Sequence, residues 1–226
     1  MDAVTVTPVP VNEPVLTYAP GSAERAEVEA AVKDLQSGPA ELTMTIDGQQ
    51  RFGGGEAFDV VQPHRHSAVL GTGRQATHAD VQAAVEAAVG AAPMWRELPF
   101  DERAAVLLRA ADLLAGPWRP TLVAATMLGQ SKSVFQAEID AACELIDFLR
   151  FNVHFAREIR TEQPMSGPGV WNRMDHRPLE GFVLAISPFN FTAIAGNLPL
   201  APALMGNTVV WKPSPTQQFA AHYTMR

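Results

Sequence analysis

Residues 181–215, GFVLAISPFNFTAIAGNLPLAPALMGNTVVWKPSP, constrain the fold of this chain more than any other stretch. Phe182 to Ile186 is an unbroken apolar run. That is the pattern of a strand buried on both faces. Ser187-Pro188 stops it, because proline brings no N–H to a ladder. A helix is predicted over roughly 197–205, with Pro199 and Pro202 near its first turn. Gly206 is placed to end it. Thr208 to Trp211, β-branched and aromatic, predicts a second strand. Two strands joined by a helix within about thirty residues make a βαβ unit with parallel strands. The first strand then delivers Ser187-Pro188-Phe189-Asn190-Phe191 to its carboxyl end, and the second delivers Lys212-Pro213-Ser214 to the same edge. In open α/β sheets ligands bind along that edge.

A second stretch is equally distinctive: ATMLGQSKSVFQAEIDAACELIDFLRFNVHFA, residues 125–156. Together with SPFNFTAIAGNLPLAPALMGNTVVWKPS it resembles the aldehyde dehydrogenases. The resemblance is greatest to the branch that oxidises L-glutamate γ-semialdehyde, the pyrroline-5-carboxylate dehydrogenases of proline breakdown. It runs, weakening, over about residues 40–226.

The resemblance implies an α/β fold, the N-terminal part of an aldehyde dehydrogenase. It divides the chain into an arm and first helix (1–40), a helical part of the cofactor-binding domain (41–164), a β-hairpin for oligomerisation (165–180) and the start of a Rossmann-like NAD-binding sheet (181–226). It implies that Asn190 is catalytic, the side-chain amide that stabilises an oxyanion. A turn asparagine bonded to nearby backbone is the plain alternative. Ser187, Pro188, Phe189, Lys212 and Ser214 match cofactor-binding positions. Phe191 matches part of an aromatic clamp on the substrate, with simple core packing as its alternative. Glu138 lies on the long helix beside the family's substrate tunnel, either orienting substrate or solvated.

The cofactor implied is NAD. Many family members carry a glutamate three residues after this lysine, where this chain has Pro215, so the residues alone leave NADP open. The family's catalytic cysteine and glutamate base lie downstream of the lysine motif. The chain ends within AAHYTMR, which reads as mid-helix with no stop signal. The expectation is a portion of a longer homo-oligomeric enzyme acting on a small molecule. The alternative is an inactive fragment, a nucleotide-binding or oligomerising module.

Other features exclude more than they assign. A net charge of −7 and no basic cluster argue against nucleic acid and anionic membranes. No apolar run reaches about 18 residues, so no transmembrane span is expected. The start, MDAVTVTPVPVNEP, lacks the regions of a secretory signal. The single cysteine, Cys143, excludes an intrachain disulfide and suits a reducing cytoplasm. It has no His or Lys close in sequence to activate it, so it reads as a small core residue rather than a nucleophile. His64 and His66 stand without further ligands, and no metal is expected. Gly71-Thr72-Gly73 lacks the third glycine of a dinucleotide loop.

Along the rest of the chain, Ser22 is the predicted N-cap of a helix over 22–36, after a proline-rich extended arm. Leu42 to Ile46, Phe58 to Val61 and Val69 to Thr72 read as strands, with turns at Asp47-Gly48 and Gly53 to Gly55. Thr77 and Asp80 have capping-box spacing, and Pro93 is expected to end their helix. Helices starting at Asp101 and Pro120 follow. Residues 134–158 predict one regular helix, with Phe135, Ile139, Ala142, Ile146, Leu149 and Val153 as its inward stripe.

Overall fold

The computed structural model describes residues 6–226, so the first five residues of the predicted arm lie outside it. Residues 6–19 have no regular structure, and Leu16 and Tyr18 turn inward, with Tyr18 buried. Helix α1 (Ala23–Leu35) starts at Ser22, whose hydroxyl accepts from the Arg25 N–H. The single strand expected over 42–46 is two. β1 (Ala40–Leu42) and β2 (Met44–Ile46) belong to different sheets, divided at Thr43. β2 turns through Asp47-Gly48, both at positive φ, into β3 (Gln49–Arg51). β4 (Ala57–Gln62) runs antiparallel to β5 (Arg65–Arg74), and β1 lies parallel on β5's other side. Gly71 and Gly73 are packing residues inside β5. A Cβ on them would come within 2.8 Å of the Ala40 carbonyl and 2.6 Å of the Phe58 ring.

Thr77 caps α2 (His78–Glu97) with the predicted box. The Asp80 carboxylate also accepts from the Gly54 N–H at 2.9 Å. That bond, followed by those from Thr77, holds the carboxyl down at about 2. Thr77→Ala is expected to lower stability by about 1 kcal/mol, measurable as a shift in denaturation midpoint at constant m-value. Pro93 does not end α2, which runs four residues past it to Glu97. Trp95 fixes that last turn by donating its indole N–H to the Ala203 carbonyl at 2.8 Å.

Helices α3 (Phe100–Ala115) and α4 (Arg119–Gln130) follow. α4 is the centre of the core: Leu122, Val123, Ala124, Ala125 and Leu128 are all buried along it. Small residues on α4 let neighbouring helices approach closely. Gly129, for instance, faces Phe219, with the Cβ position 3.4 Å from that side chain.

The long helix predicted over 134–158 is interrupted. α5 (Val134–Ala137) gives way to a π-helical segment (Glu138–Glu144), and α6 (Leu145–Thr161) continues from it. Such wide turns break the 3.6-residue phase. Phe135, the first residue of the predicted stripe, is exposed, while the charged Glu138 and Asp140 are buried.

The βαβ unit forms as predicted. β6 (Val183–Ile186) and β7 (Val209–Lys212) are parallel, with Ile186 opposite Lys212. The connecting helix α7 (Thr192–Leu204) starts five residues earlier than expected, so Pro199 and Pro202 lie in its interior. Proline costs a helix one hydrogen bond each time. Contacts at the two ends of α7 offset this. Asp140 accepts from its first N–H groups, and buried Arg103 donates to the Leu204 carbonyl. Both charges complement the helix dipole. Gly206, at φ +96°, ends the helix as expected.

Residues 165–180 do not form a backbone ladder. They turn back through a bond from the Val170 N–H to the Gly167 carbonyl. The limbs are joined through side chains instead: Ser166 and Gln163 accept from the Asn172 and Met174 N–H groups. A 3₁₀ turn (Pro215–Gln217) leads into α8 (Gln218–Met225). No helix among the described residues is long and apolar enough to cross a membrane.

Candidate active site at the carboxyl edge of the parallel pair

β6 and β7 end side by side. The Ser187 N–H donates to the Lys212 carbonyl at 3.2 Å, the last rung of the pair. Beyond that rung the chain opens outward: Pro188, Phe189 and Asn190 are exposed, and Phe189 is 63% accessible. The Asn190 amide has no hydrogen-bond partner among the described residues, so it is not a turn asparagine tied to its own backbone. Lys212 is exposed on the neighbouring strand. The predicted grouping of Asn190, Pro188, Phe189 and Lys212 on one edge is therefore present.

Ser187 is placed differently from these neighbours. It is buried, and its Oγ accepts from the Trp211 indole N–H at 2.9 Å. Its side chain ties β6 to β7 and is not presented to a ligand. Ser214 is half-buried, 3.4 Å from the Thr216 hydroxyl, and its carbonyl starts the 3₁₀ turn.

Behind the loop lies a polar cluster that the sequence pattern does not announce. Each oxygen of the Asp140 carboxylate accepts one N–H from the first turn of α7, Thr192 and Ala193, both at 2.9 Å. Lys132 pairs with Asp140 at 2.6 Å. Its ammonium also stands 4.1 Å above the ring of Phe191. Phe191 is thus half-buried under a cation rather than packed in the apolar core. The Thr192 hydroxyl lies 2.8 Å from that of Thr126 and accepts from the Gln130 amide at 2.7 Å. Glu144 closes the far end of the π segment. Burial raises its carboxyl, and the charge of Asp140 adds to this.

Glu138 corrects the expectation of a solvated side chain. It is neither solvated nor free to orient a ligand, being fully buried with both oxygens engaged. The Leu16 N–H donates to Oε1 at 2.8 Å and the Tyr18 hydroxyl to Oε2 at 2.6 Å. Arg119 closes the pair through both Nε and Nη2. Burial pushes the carboxyl up, but Arg119, Tyr18 and Leu16 outweigh it, and the net shift is downward. Arg119 also reaches Glu13 at 2.5 Å, and Arg150 holds the other oxygen of Glu13 at 2.6 Å. These contacts fasten the N-terminal arm to the π segment.

Cys143 is buried beside this network, with its thiol pushed up to about 12 by burial and by the Glu138 charge. A thiol held there is no nucleophile at neutral pH, which agrees with its sequence context. His64 lies 2.8 Å from the Ser131 hydroxyl through Nδ1.

The arrangement can offer an amide donor to a developing oxyanion, with apolar and cationic surface beside it for a second ligand. The chain as a whole is similar to known proteins. A model of the aldehyde dehydrogenase family matches residues 51–226. The delta-1-pyrroline-5-carboxylate dehydrogenase of Agaricus bisporus is 48% identical over 217 residues, 95% of this chain and 40% of that protein. The mitochondrial delta-1-pyrroline-5-carboxylate dehydrogenase of Mus musculus is 47% identical over 215 residues, 95% of this chain and 38% of its own length. The crystal structure of the Delta-pyrroline-5-carboxylate dehydrogenase from Mycobacterium tuberculosis bound with NAD is 67% identical, with a TM-score of 0.98 over the whole of this chain and 42% of that one. The chain spans about two-fifths of the length of these relatives. With that match and the βαβ edge it predicts, the chain belongs to the aldehyde dehydrogenase family.

Proposed function

We propose that this chain is the first part of an NAD-dependent dehydrogenase. It would oxidise L-glutamate γ-semialdehyde, the open form of 1-pyrroline-5-carboxylate, to L-glutamate in proline degradation. The observation that carries the reading is the exposed Asn190 amide on the carboxyl edge of β6 and β7, beside exposed Lys212. The relatives named for this substrate support it.

The edge suits a dinucleotide. Pro188 and Phe189 offer exposed apolar surface, and Lys212 offers an exposed donor for ribose hydroxyls. Ser187 contributes by fixing where that surface begins, and Ser214 by shaping the turn after Lys212. Pro215 leaves the ribose without the carboxylate that many family members place there. When bound, NAD supplies the acceptor for the hydride that leaves the substrate carbon. A cysteine outside this chain adds to the aldehyde, and the carbonyl oxygen becomes an oxyanion. The Asn190 side chain donates an N–H to that oxygen. Phe191 borders the aliphatic part of the substrate. Water, activated by a glutamate outside this chain, then releases L-glutamate and restores the thiol.

Residues 165–180 expose Met165 and Trp171, at 93% and 78%, as the contact surface for a second subunit. The enzyme is placed in a reducing cytoplasm, where the Cys143 thiol persists.

The test is NADH formation from glutamate γ-semialdehyde by the full-length enzyme. Turnover supports the reading, and its absence with this substrate removes it. Residues 1–226 alone are expected to form no NADH. In isolation they are also expected to be poorly soluble, because Leu184 and Ile186 on β6 are 56% and 61% exposed. A soluble, cooperatively folded monomer would contradict that.

A further inference from the structure

We propose that Asp140 is the positioning residue of the Asn190 loop, an inference that rests on the dehydrogenase reading above. The loop between its two anchors is only Pro188, Phe189 and Asn190. One anchor is Ser187, held by Trp211 and by the Lys212 carbonyl. The other is the first turn of α7. That turn has no local side-chain cap, because its N-cap position is Phe191, whose side chain cannot accept a hydrogen bond. Asp140 supplies the acceptors instead, from 52 residues away in the sequence.

A local serine or aspartate would satisfy the same N–H groups. It would not tie α7 to another part of the protein. The Asp140 carboxylate does, because it sits in the buried π segment and cannot follow the helix if the helix moves. Its second partner extends the effect. Lys132, drawn to 2.6 Å from Asp140, presses on the Phe191 ring, the residue directly after Asn190. One carboxylate therefore sets both the helix start and the side chain that adjoins the oxyanion donor. Displacing a donor by about 1 Å costs a reaction up to about a hundredfold.

Asp140→Asn in the full-length enzyme preserves the side-chain shape but turns one N–H acceptor into a donor and releases Lys132. Turnover with glutamate γ-semialdehyde is expected to fall about ten- to a hundredfold. The decisive readout is a double-mutant cycle with Asn190→Ala. If Asp140 acts through Asn190, adding Asp140→Asn to Asn190→Ala costs nothing further. An equal loss on both backgrounds would overturn the inference, as would unchanged turnover in the single variant. Should Asp140→Asn fail to fold, Lys132→Met carries the same cycle. It leaves both bonds from α7 to Asp140 intact, and its smaller loss must likewise vanish on the Asn190→Ala background. A wild-type enzyme that forms no NADH overturns the dehydrogenase reading and this inference together. Wild-type turnover with an additive cycle overturns this inference alone.

Discussion

Asn190→Ala in the full-length enzyme is expected to lower turnover about a hundredfold or more. The expectation follows from where the amide stands. It is exposed at the end of β6, bonded to no described residue, and carried on a three-residue loop anchored at both ends. A side chain so placed contributes nothing visible to the fold, so its removal should leave stability close to wild type. What it can contribute is a donor to a charge that develops only during the reaction. Loss of one such donor costs about 2.7–4 kcal/mol of transition-state stabilisation in a well-studied hydrolase. Because the oxyanion is absent from the ground state, kcat and kcat/KM should fall together. Binding of NAD should be untouched. Turnover within a few-fold of wild type would remove Asn190 from the chemistry. A large drop accompanied by a lower denaturation midpoint would mean that the amide is structural.

The parts of the site that were legible in the sequence are those fixed by neighbours along the chain. The apolar run 182–186, the Ser-Pro break and the β-branched run before Lys212 define β6, β7 and their common edge without any distant contact. The start of α7 was missed because its cap is not local. Asp140 replaces the Ser, Thr or Asn that normally marks a helix N-terminus. The π segment was hidden by a stripe whose spacings of four and three fit an ordinary helix, although Phe135 faces out and two carboxylates face in. Glu138 was misread for the same reason. Its partners Arg119, Tyr18 and Leu16 are 19, 120 and 122 residues away. The usable signal was AEIDAACEL itself: carboxylates within an apolar helix must find cations, and Lys132 stands eight residues from Asp140. Residues 165–180 do reverse direction, but side chains rather than a ladder join their limbs.

The largest effect on stability is expected at Arg119. Arg119→Met should destabilise the enzyme by about 3–5 kcal/mol, the cost of leaving a buried charge without its partner. The pair qualifies as buried: 7% of the Arg119 side chain and none of Glu138 is accessible. Methionine fills much of the same volume, so the loss would come from the stranded Glu138 carboxylate and from the Pro14 carbonyl that Arg119 also binds. Glu13 keeps Arg150 at 2.6 Å and should tolerate the change. Two consequences separate this from ordinary core damage. First, Arg119→Met combined with Glu138→Gln should recover part of the loss, since no charge then remains buried opposite the methionine. Second, the pH dependence has a defined sign. The folded-state Glu138 carboxyl titrates below its unfolded value, so its contribution is present above about pH 4.3 and is lost as pH falls through the folded value. The Tyr18 hydroxyl is raised by burial and by Glu138, so its contribution is present below about pH 10 and is lost as pH rises further. Denaturation midpoints of the three proteins, measured across that range, check both. A loss under about 1 kcal/mol, the size of an exposed pair, would show that the network is solvated and that the arm is not fastened by it. A full loss in Arg119→Met, with faster proteolysis within residues 12–18, would identify Arg119 as the residue that holds the arm to the π segment, within which Asp140 braces α7.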